Sequence, residues 1–233
     1  MSVERRRQLL AMLAANNDGA WALLRGICGL YVSELAITGA WLRVLGGLHA
    51  DNGGAMVYAT DPLGVRLDDL QQTAGQGPCT DAFELRHPVL VPDLAAQPAR
   101  WLGFTDVALG ARVAAVFAFP LQLGAVRLGM VGLYRDVAGA LTPAQLVDAL
   151  LLADTATGII IDDLHGLRPM TLPALVDIQA DVHQASGMVA VQLEVSLPEA
   201  LLRIRGYAYA HGLPLAEVAG HIIGRRLRLD IGE

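Results

Sequence analysis

Apolar residues in the last quarter of the chain recur at alternating spacings of three and four positions. One stripe comprises Leu175, Ile178, Val182, Ala185 and Val189, and another comprises Leu215, Val218, Ala219, Ile222 and Ile223. Between them, Ser196 lies three positions before Glu199, the spacing of a helix N-cap and its reciprocal partner. Since this period is that of a helix face, the sequence predicts three consecutive helices, the third over 213–227 with arginines at its end.

The front of the chain alternates short apolar runs with longer helical patterns. The predicted strands cover residues 39–45, 55–59, 89–91, 114–121 and 126–134, and the predicted helices cover 16–36, 65–73 and a short segment after Pro78. Because several strands follow one another, this order predicts an α+β fold with a central antiparallel sheet flanked by helices.

A further long helix is predicted from Thr142, which would cap it, and Pro143, which would begin it. Its apolar seam comprises Leu146, Leu150, Ala153, Thr157, Ile160 and Leu164. On a monomer this seam would expose a large apolar strip, so the sequence predicts a homodimer. The same run is apolar enough to consider as a membrane span, but Asp148 and Asp154 interrupt it and we expect no membrane insertion.

The boundary between the two parts follows from helix breakers. Gly166, Pro169 and Pro173 interrupt helical continuity after the long helix. We therefore expect a first domain over residues 1–164 that ends in the dimerising helix, a linker over 165–173 and an all-α second domain over 174–233. A first domain of this length can fold without disulfides or metals.

The charge of the chain limits the kind of nucleic-acid binding that it supports. All 17 basic residues are arginine, and the formal net charge is −6. Residues 166–233 alone carry six arginines against seven acidic side chains. This balance excludes broad electrostatic capture of nucleic acid, so any binding must be local and must depend on shape.

Cysteine and histidine usage argues against a metal centre. Cys28 and Cys79 lie far apart and form no CxxC pair, which fits a reducing compartment and excludes a thiolate zinc site. The six histidines show no HExxH spacing. The N-terminus lacks the apolar segment of a secretion signal. We therefore expect a cytoplasmic protein with no metal and no cofactor.

The loop before the short helix at Pro78 allows two functional interpretations. Cys79 would be either a reactive thiol at a helix start or a small buried residue, and we favour the buried interpretation because no resolving cysteine or basic neighbour is close in sequence. Gly75 and Gly77 would hold an anion on backbone amides, but the loop lacks the third glycine and the lysine of phosphate-binding motifs.

Two pairs of adjacent aspartates resemble the paired carboxylates of some active sites. Asp68 and Asp69, like Asp162 and Asp163, imitate a catalytic pair, but neighbouring helical residues point about 100° apart. We interpret them as solvated helix faces. No nucleophile-elbow, Walker or kinase motif is found, so the sequence predicts no enzymatic activity.

The C-terminal pattern resembles the ANTAR domain, a three-helix RNA-binding module of transcription antitermination regulators. The matching residues are 184–188 (QASGM), 196–200 (SLPEA), Ile204, Arg205, Ala208 and 214–219 (PLAEVA). The family commonly carries a basic residue between the small Ala and the Gly of its first helix, where this chain has Ser186. The resemblance implies that this domain binds RNA.

The front of the chain resembles a GAF sensory domain of the kind that precedes ANTAR domains. The similarity lies in residues 75–81 (GQGPCTD), 87–93 (HPVLVPD) and 116–121 (VFAFPL), and in the order of the elements. It implies a pocket between the sheet and its flanking helices for an unidentified small molecule.

Residues off the apolar stripes are the candidates for RNA contact. They are Gln184, Ser186, Gly187, Arg203, Arg205, Tyr209, Arg225 and Arg226. Arginine and aromatic side chains on one helix suit phosphate contact and base stacking. In the alternative interpretation, Tyr207 completes an apolar stripe with Ala200 and Ile204 and the arginines only solvate the outer face.

The resemblance implies a regulator whose C-terminal domain binds paired stem-loops in a leader RNA and prevents a terminator hairpin. A homodimer suits this function because two copies hold two loops. One alternative is a small-molecule-sensing GAF protein whose C-terminal helices dock a protein partner without binding RNA. Another is a GAF-type free methionine sulfoxide reductase, which requires several clustered cysteines where this chain has two distant ones.

Overall fold

A computed structural model of the protein describes residues 3–14, 19–45, 55–164 and 173–229, with side chains over 4–13, 19–45, 56–163 and 181–229. The helices of the first part are α1 (Val3–Ala14), α2 (Ala20–Leu35), α3 (Pro62–Ala74), α4 (Pro78–Leu85), α5 (Thr105–Gly110) and α6 (Pro143–Leu164). Its strands are β1 (Gly39–Val44), β2 (Ala55–Ala59), β3 (Val89–Val91), β4 (Ala115–Leu123) and β5 (Val126–Arg135). Three helices follow, α7 (Pro173–Leu193), α8 (Leu197–His211) and α9 (Leu215–Ile223).

The strands form one antiparallel sheet in the order β2-β1-β5-β4-β3. The predicted antiparallel sheet with flanking helices is therefore confirmed. Along β4 and β5 consecutive residues are buried, so side chains are covered on both faces of the sheet. A sheet buried on both faces needs a helical layer on each side.

The first layer consists of α1, α2 and α6. The buried faces of α2 and α6 share one apolar cluster with the sheet. Tyr31 joins the two helices, because its hydroxyl donates to the carbonyl of Ala149 at 2.9 Å while its ring stacks on Phe119. Arg5 of α1 binds Asp148 of α6 at 2.9 Å and Glu34 of α2 at 3.1 Å. These contacts fix the first layer as a unit.

The second layer consists of α3, α4, α5 and the loop that carries Trp101. It shares a separate apolar cluster with the opposite face of the sheet. Trp41 of β1 lies across from Gly132 of β5, and a methyl group at Gly132 would come within 2.1 Å of the Trp41 ring. Glycine at this position therefore makes room for the indole.

A buried ion pair links α3 to the sheet. Arg43 of β1 and Asp68 of α3 are both buried, and the Arg43 Nε lies 3.1 Å from each carboxylate oxygen of Asp68. The interpretation of Asp68 as part of a solvated helix face was wrong. No local pattern indicates this pairing, because the partner lies 25 positions away on another element.

The long apolar helix α6 belongs to the first layer. Thr142 caps it as predicted, since its Oγ1 accepts from the Gln145 amide at 3.2 Å while the Gln145 side chain accepts from the Thr142 amide. Much of the predicted seam is buried inside the fold, including Ala153, Thr157 and Ile160, whereas Leu150 is 39% exposed. The seam therefore covers the sheet. Its apolar character is explained within one copy of the chain and no longer argues for a homodimer.

The length and composition of α6 are also those of a membrane-crossing helix. Core helices of folded domains share these properties, and the buried face of α6 supplies Ala149, Leu152 and Ala156 to the first apolar cluster. This packing explains why the helix is so apolar.

The helices α7, α8 and α9 enclose a third apolar cluster, which we call the core of the three-helix unit. It comprises Ala185, Val189, Ala200, Ile204, Ala208, Val218, Ala219, Ile222 and Leu229. Ser196 caps α8 by accepting from the Glu199 amide at 3.4 Å. The predicted stripes are thus the buried faces, apart from Leu175 and Ile178, whose side chains lie outside the described residues.

The remaining differences concern the ends and the shortest elements. The sequence missed α1, whose apolar face is narrow between arginines, and α5, which has six residues. The third C-terminal helix was predicted to reach residue 227 but ends at Ile223, so its arginines follow the helix instead of lying in its last turn. The predicted linker lies outside the described residues except for Pro173, which begins α7.

The buried pair gives a direct test of the packing between α3 and the sheet. Asp68→Asn should lower the free energy of unfolding by about 3 kcal/mol, because the Arg43 charge loses its carboxylate in the core. The double variant Arg43→Met/Asp68→Leu should lie within about 1 kcal/mol of the parent. Denaturant unfolding measures both, and a single variant as stable as the parent would contradict the ion-pair account.

Candidate functional site

The candidate RNA contacts on α7 differ in accessibility. Gln184 is exposed, and a methyl group on Gly187 would meet nothing within 4 Å, so the surface there is open. Ser186 is only 3% exposed, and its hydroxyl donates to the carbonyl of Val182 at 2.8 Å. The Ser186 hydroxyl is therefore turned into its own helix.

Arg203 is held along the surface of α8. Its terminal nitrogen donates to Glu199 at 2.9 Å, and the two residues lie one helical turn apart. The Glu199 carboxylate thus pairs with Arg203 instead of reaching back to the start of the helix, as a full capping box would require. An exposed pair of this kind contributes little stability and exchanges readily for another anion.

Arg205 lies where α8 packs against α3. Its guanidinium faces the turn after α3, and a methyl group on Gly75 would lie 3.2 Å from the Arg205 Nη1. Burial lowers the pKa of Arg205. Its Nε is buried and has no hydrogen-bond partner within the described part of the chain. This side chain is therefore covered by the first part of the chain.

The two tyrosines of α8 have different environments. Tyr207 packs against the core of the three-helix unit and stacks on His211 with ring centroids 3.9 Å apart. This position agrees with the apolar-stripe interpretation. Tyr209 is 52% exposed, and one side of its ring lies on Gly103, where a methyl group would come within 2.9 Å of the tyrosine hydroxyl.

The residues after α9 form an exposed basic segment. Arg225 and Arg226 are exposed, as is Arg228. Arg225 takes a left-handed backbone conformation with φ of 54°, which turns the chain immediately after the helix. Among the candidate residues, Gln184, Arg225 and Arg226 are accessible. Arg205 and one side of Tyr209 are covered.

Two loops of the first part cover Arg205 and Tyr209. We call them the covering loops: Gly75 and Gln76 after α3, and Leu102 and Gly103 before α5. They are joined, because the Gln76 side-chain amide donates to the carbonyl of Leu102. Both glycines have positive φ, 66° and 88°, a conformation that other residues adopt with strain. Sequence reasoning considered Gly75 only as an anion site and did not single out Gly103.

The second covering loop is fixed by buried aromatic packing. Trp101 is buried, packs edge-to-face on Phe104 and donates from its indole to Asp81 of α4 at 3.0 Å. Arg100 lies over the Trp101 ring at 4.5 Å and also binds Asp81 at 3.2 Å. These contacts tie the loop to the second layer of the sheet.

Polar groups within the second layer mark a second candidate region. The Trp41 Nε1 and the Thr105 Oγ1 are buried and have no hydrogen-bond partner among the described residues. Asp69 is partly buried, and burial together with the neighbouring Asp68 charge raises its pKa to about 6 despite the opposing effect of Arg43. Unsatisfied polar atoms under helices are what a small-molecule ligand would pair with.

The cysteines have the environment of structural residues. Cys79 is buried, and its backbone amide donates to the Gln71 side chain at 2.7 Å. Burial raises the thiol pKa of Cys79, and that of Cys28 to about 12. The two residues belong to clusters on opposite faces of the sheet. No group of metal-ligating side chains occurs in the part of the chain that the structure describes.

Solved structures with the same architecture identify the fold. The GAF domain of a phosphoenolpyruvate-protein phosphotransferase from Coxiella burnetii is 12% identical, with a TM-score of 0.52 over 70% of this chain and 95% of that chain. The GAF domain of the corresponding Acinetobacter protein is 11% identical, with a TM-score of 0.53 over 72% of this chain and 98% of that chain. No protein-family model and no curated protein sequence matches the chain. The first part of the chain therefore has a GAF-like fold.

The raised pKa of Asp69 predicts a pH dependence of stability. Its folded-state pKa lies above the ordinary value of 3.8, so between about pH 4 and 6 the folded state holds more proton than the unfolded state. The free energy of unfolding should then fall as pH rises through this window. Asp69→Asn should remove that fall and be more stable than the parent at pH 7 by about 1 kcal/mol, after allowance for solvent screening.

Urea unfolding of the parent and of Asp69→Asn at ~pH 4 and pH 7 measures the two free energies of unfolding. Asp154→Asn, which neutralises an exposed carboxylate on α6, is the matched control and should keep the pH slope of the parent. Equal slopes for Asp69→Asn and the parent would show that Asp69 titrates normally.

Proposed function

We propose that this protein is a cytoplasmic, signal-responsive transcription antitermination regulator. Its GAF domain senses a small molecule, and its three-helix unit is an ANTAR domain that binds stem-loops in leader RNA. The observation that carries the proposal is the form of the unit: a closed apolar core that leaves Gln184, Arg225 and Arg226 accessible. These residues lie off the apolar stripes that the sequence predicts.

The chemistry of the accessible set suits a structured RNA. Exposed guanidinium groups contact phosphates, the Gln184 amide can read a base edge, and the open surface at Gly187 admits a base or backbone. Because the second domain carries no excess of positive charge, affinity must come from loop shape and stacking. We expect a shallow salt dependence that corresponds to roughly two to four phosphate contacts per domain.

The sensing role is assigned to the second layer of the GAF domain. Trp41 of β1, Thr105 of α5 and Asp69 of α3 supply a donor, a hydroxyl and a carboxyl group. A small molecule with both polar and aromatic character would satisfy them. The proposal gives the protein no catalytic role, and it assigns no cofactor.

A specific observation supports a second candidate function. Several large apolar side chains of the three-helix unit are exposed, notably Val191 at 81%, Leu202 at 66% and Leu197. A surface of this kind also suits docking of a protein partner. In that case the unit would be a docking module of a small-molecule sensor and would not bind RNA.

Titration with RNA separates the two functions. A fluorescent leader RNA with two adjacent stem-loops should raise the anisotropy in a saturable way. An RNA of the same composition with its stems disrupted should bind at least tenfold more weakly. Equal affinity for both RNAs, or no saturable binding, would favour the docking module.

The exposed arginine after α9 gives the sharpest substitution. Arg225→Ala should weaken binding of the stem-loop RNA by about 1 to 3 kcal/mol without changing the thermal unfolding midpoint, because its side chain is exposed. Arg86→Ala is the matched control: it removes an exposed arginine with a similar positive φ, 59° against 54°, that directly follows α4 in the first part of the chain. Equal losses in both variants would indicate a nonspecific charge effect.

We also propose that the protein acts as a homodimer through the outer face of α6. Val147 and Leu150 are partly exposed there, whereas Ala153, Thr157 and Ile160 of the seam are buried. Light scattering at micromolar concentration should give twice the 24.7 kDa chain mass. Val147→Glu/Leu150→Glu should be monomeric and folded, whereas a charge at the buried Ile160 would unfold the protein.

Leu123→Glu, on the exposed β4–β5 hairpin, controls for a general effect of an added charge and should stay dimeric. A parent that scatters as a monomer would rule out the dimer. A dimeric double variant would place the interface elsewhere.

A further inference from the structure

We propose that the GAF domain closes part of the RNA-binding face, and that release of this contact is the regulated step. This inference rests on the function proposed above. The covering loops occupy the positions against Arg205 and Tyr209 that RNA would take, so the described arrangement is a closed state. Until the contact opens, RNA would bind only to the accessible residues Gln184, Arg225 and Arg226, without Arg205 and Tyr209.

The contact is made by glycine backbone on the GAF side and by the ends of two side chains on α8. Gly75 and Gly103 lie against the Arg205 guanidinium and the Tyr209 ring at distances that leave no room for a methyl group without displacement of these side chains. Since the Arg205 Nε is buried and its Nη1 faces Gly75, the guanidinium cannot present its Nε edge to a phosphate at the same time. One side of the Tyr209 ring is likewise unavailable for stacking on a base.

The closed state leaves one charged donor without an acceptor among the described residues, and this favours its release. The Arg205 Nε is buried, and no acceptor for it is found in the described ranges. A desolvated charged donor without an acceptor is unfavourable. An RNA phosphate would supply the missing acceptor with bidentate geometry. Closure and RNA binding therefore compete for the same side chain.

The covering loops are connected to the proposed sensing layer. Gly77, next to the first loop, lies against the Gln71 side chain of α3, and the same side chain accepts from the Cys79 amide. The second loop is anchored through Trp101 to Asp81 of α4. A small molecule that moves α3 relative to α4 would move both loops and so change how well they cover α8.

Substitutions on the GAF side test closure without touching a proposed RNA contact. Gly75→Ala and Gly103→Ala each place a methyl group against the covered side chain, and Gln76→Ala removes the hydrogen bond that joins the loops without adding backbone strain. Gly124→Ala is the matched control, because Gly124 also has positive φ, 56°, but a methyl group there meets nothing within 4 Å.

Two readouts are taken on the full chain with the two-stem-loop leader RNA. We expect the three loop variants to bind roughly fivefold to tenfold more tightly than the parent, since a larger fraction of the protein would be open. Amide hydrogen exchange at residues 203–209 should be faster in the same variants. Gly124→Ala should match the parent in both, and thermal unfolding confirms that each variant is folded.

The outcomes separate closure from RNA binding itself. If the parent binds the stem-loop RNA and no folded loop variant binds more tightly, closure is wrong while the proposed function stands. If neither the parent nor any variant binds RNA, the proposed function is wrong and closure of an RNA face falls with it. Tighter binding by Gly124→Ala as well would show a general effect of strain and would also overturn the proposal.

Discussion

The central sheet is buried on both faces, and this constraint determines where the rest of the chain lies. One face is covered by α2 and α6, and the other by α3, α4 and the Trp101 loop. The Arg43–Asp68 pair fixes α3 on its face. Because α8 packs on α3, the layer proposed to sense a ligand is also the layer that meets the C-terminal helices.

That contact involves an arginine with unusual surroundings. Of the two arginines on α8, Arg203 pairs with Glu199 at the surface, whereas the Nε of Arg205 is buried and gains no acceptor among the described residues. Such a contact persists only while other packing supports it. In the closure that we propose, the position of the two covering loops determines the availability of this guanidinium group.

Sequence periodicity predicted the elements that repeat along one face. The strands, the Thr142 cap and the stripes of the C-terminal helices followed from spacing alone, since each signal is local. Contacts between distant segments could not be predicted. Nothing in the sequence pairs Arg205 with Gly75 or Arg43 with Asp68, and the apolar period of α6 is the same for a sheet-covering helix and a dimer seam. The hydrogen bond from the Ser186 hydroxyl to Val182 could not be predicted either, since spacing does not show where a hydroxyl points.

Binding of RNA by the three-helix unit is the central claim, and crosslinking tests it most directly. The full chain would be irradiated with the two-stem-loop leader RNA, digested, and mapped by mass spectrometry. The account predicts crosslinked peptides from α7 around Gln184 and from the segment around Arg225, competed away by unlabelled stem-loop RNA but not by the disrupted RNA. Crosslinks confined to the GAF domain, or equal competition by both RNAs, would contradict it.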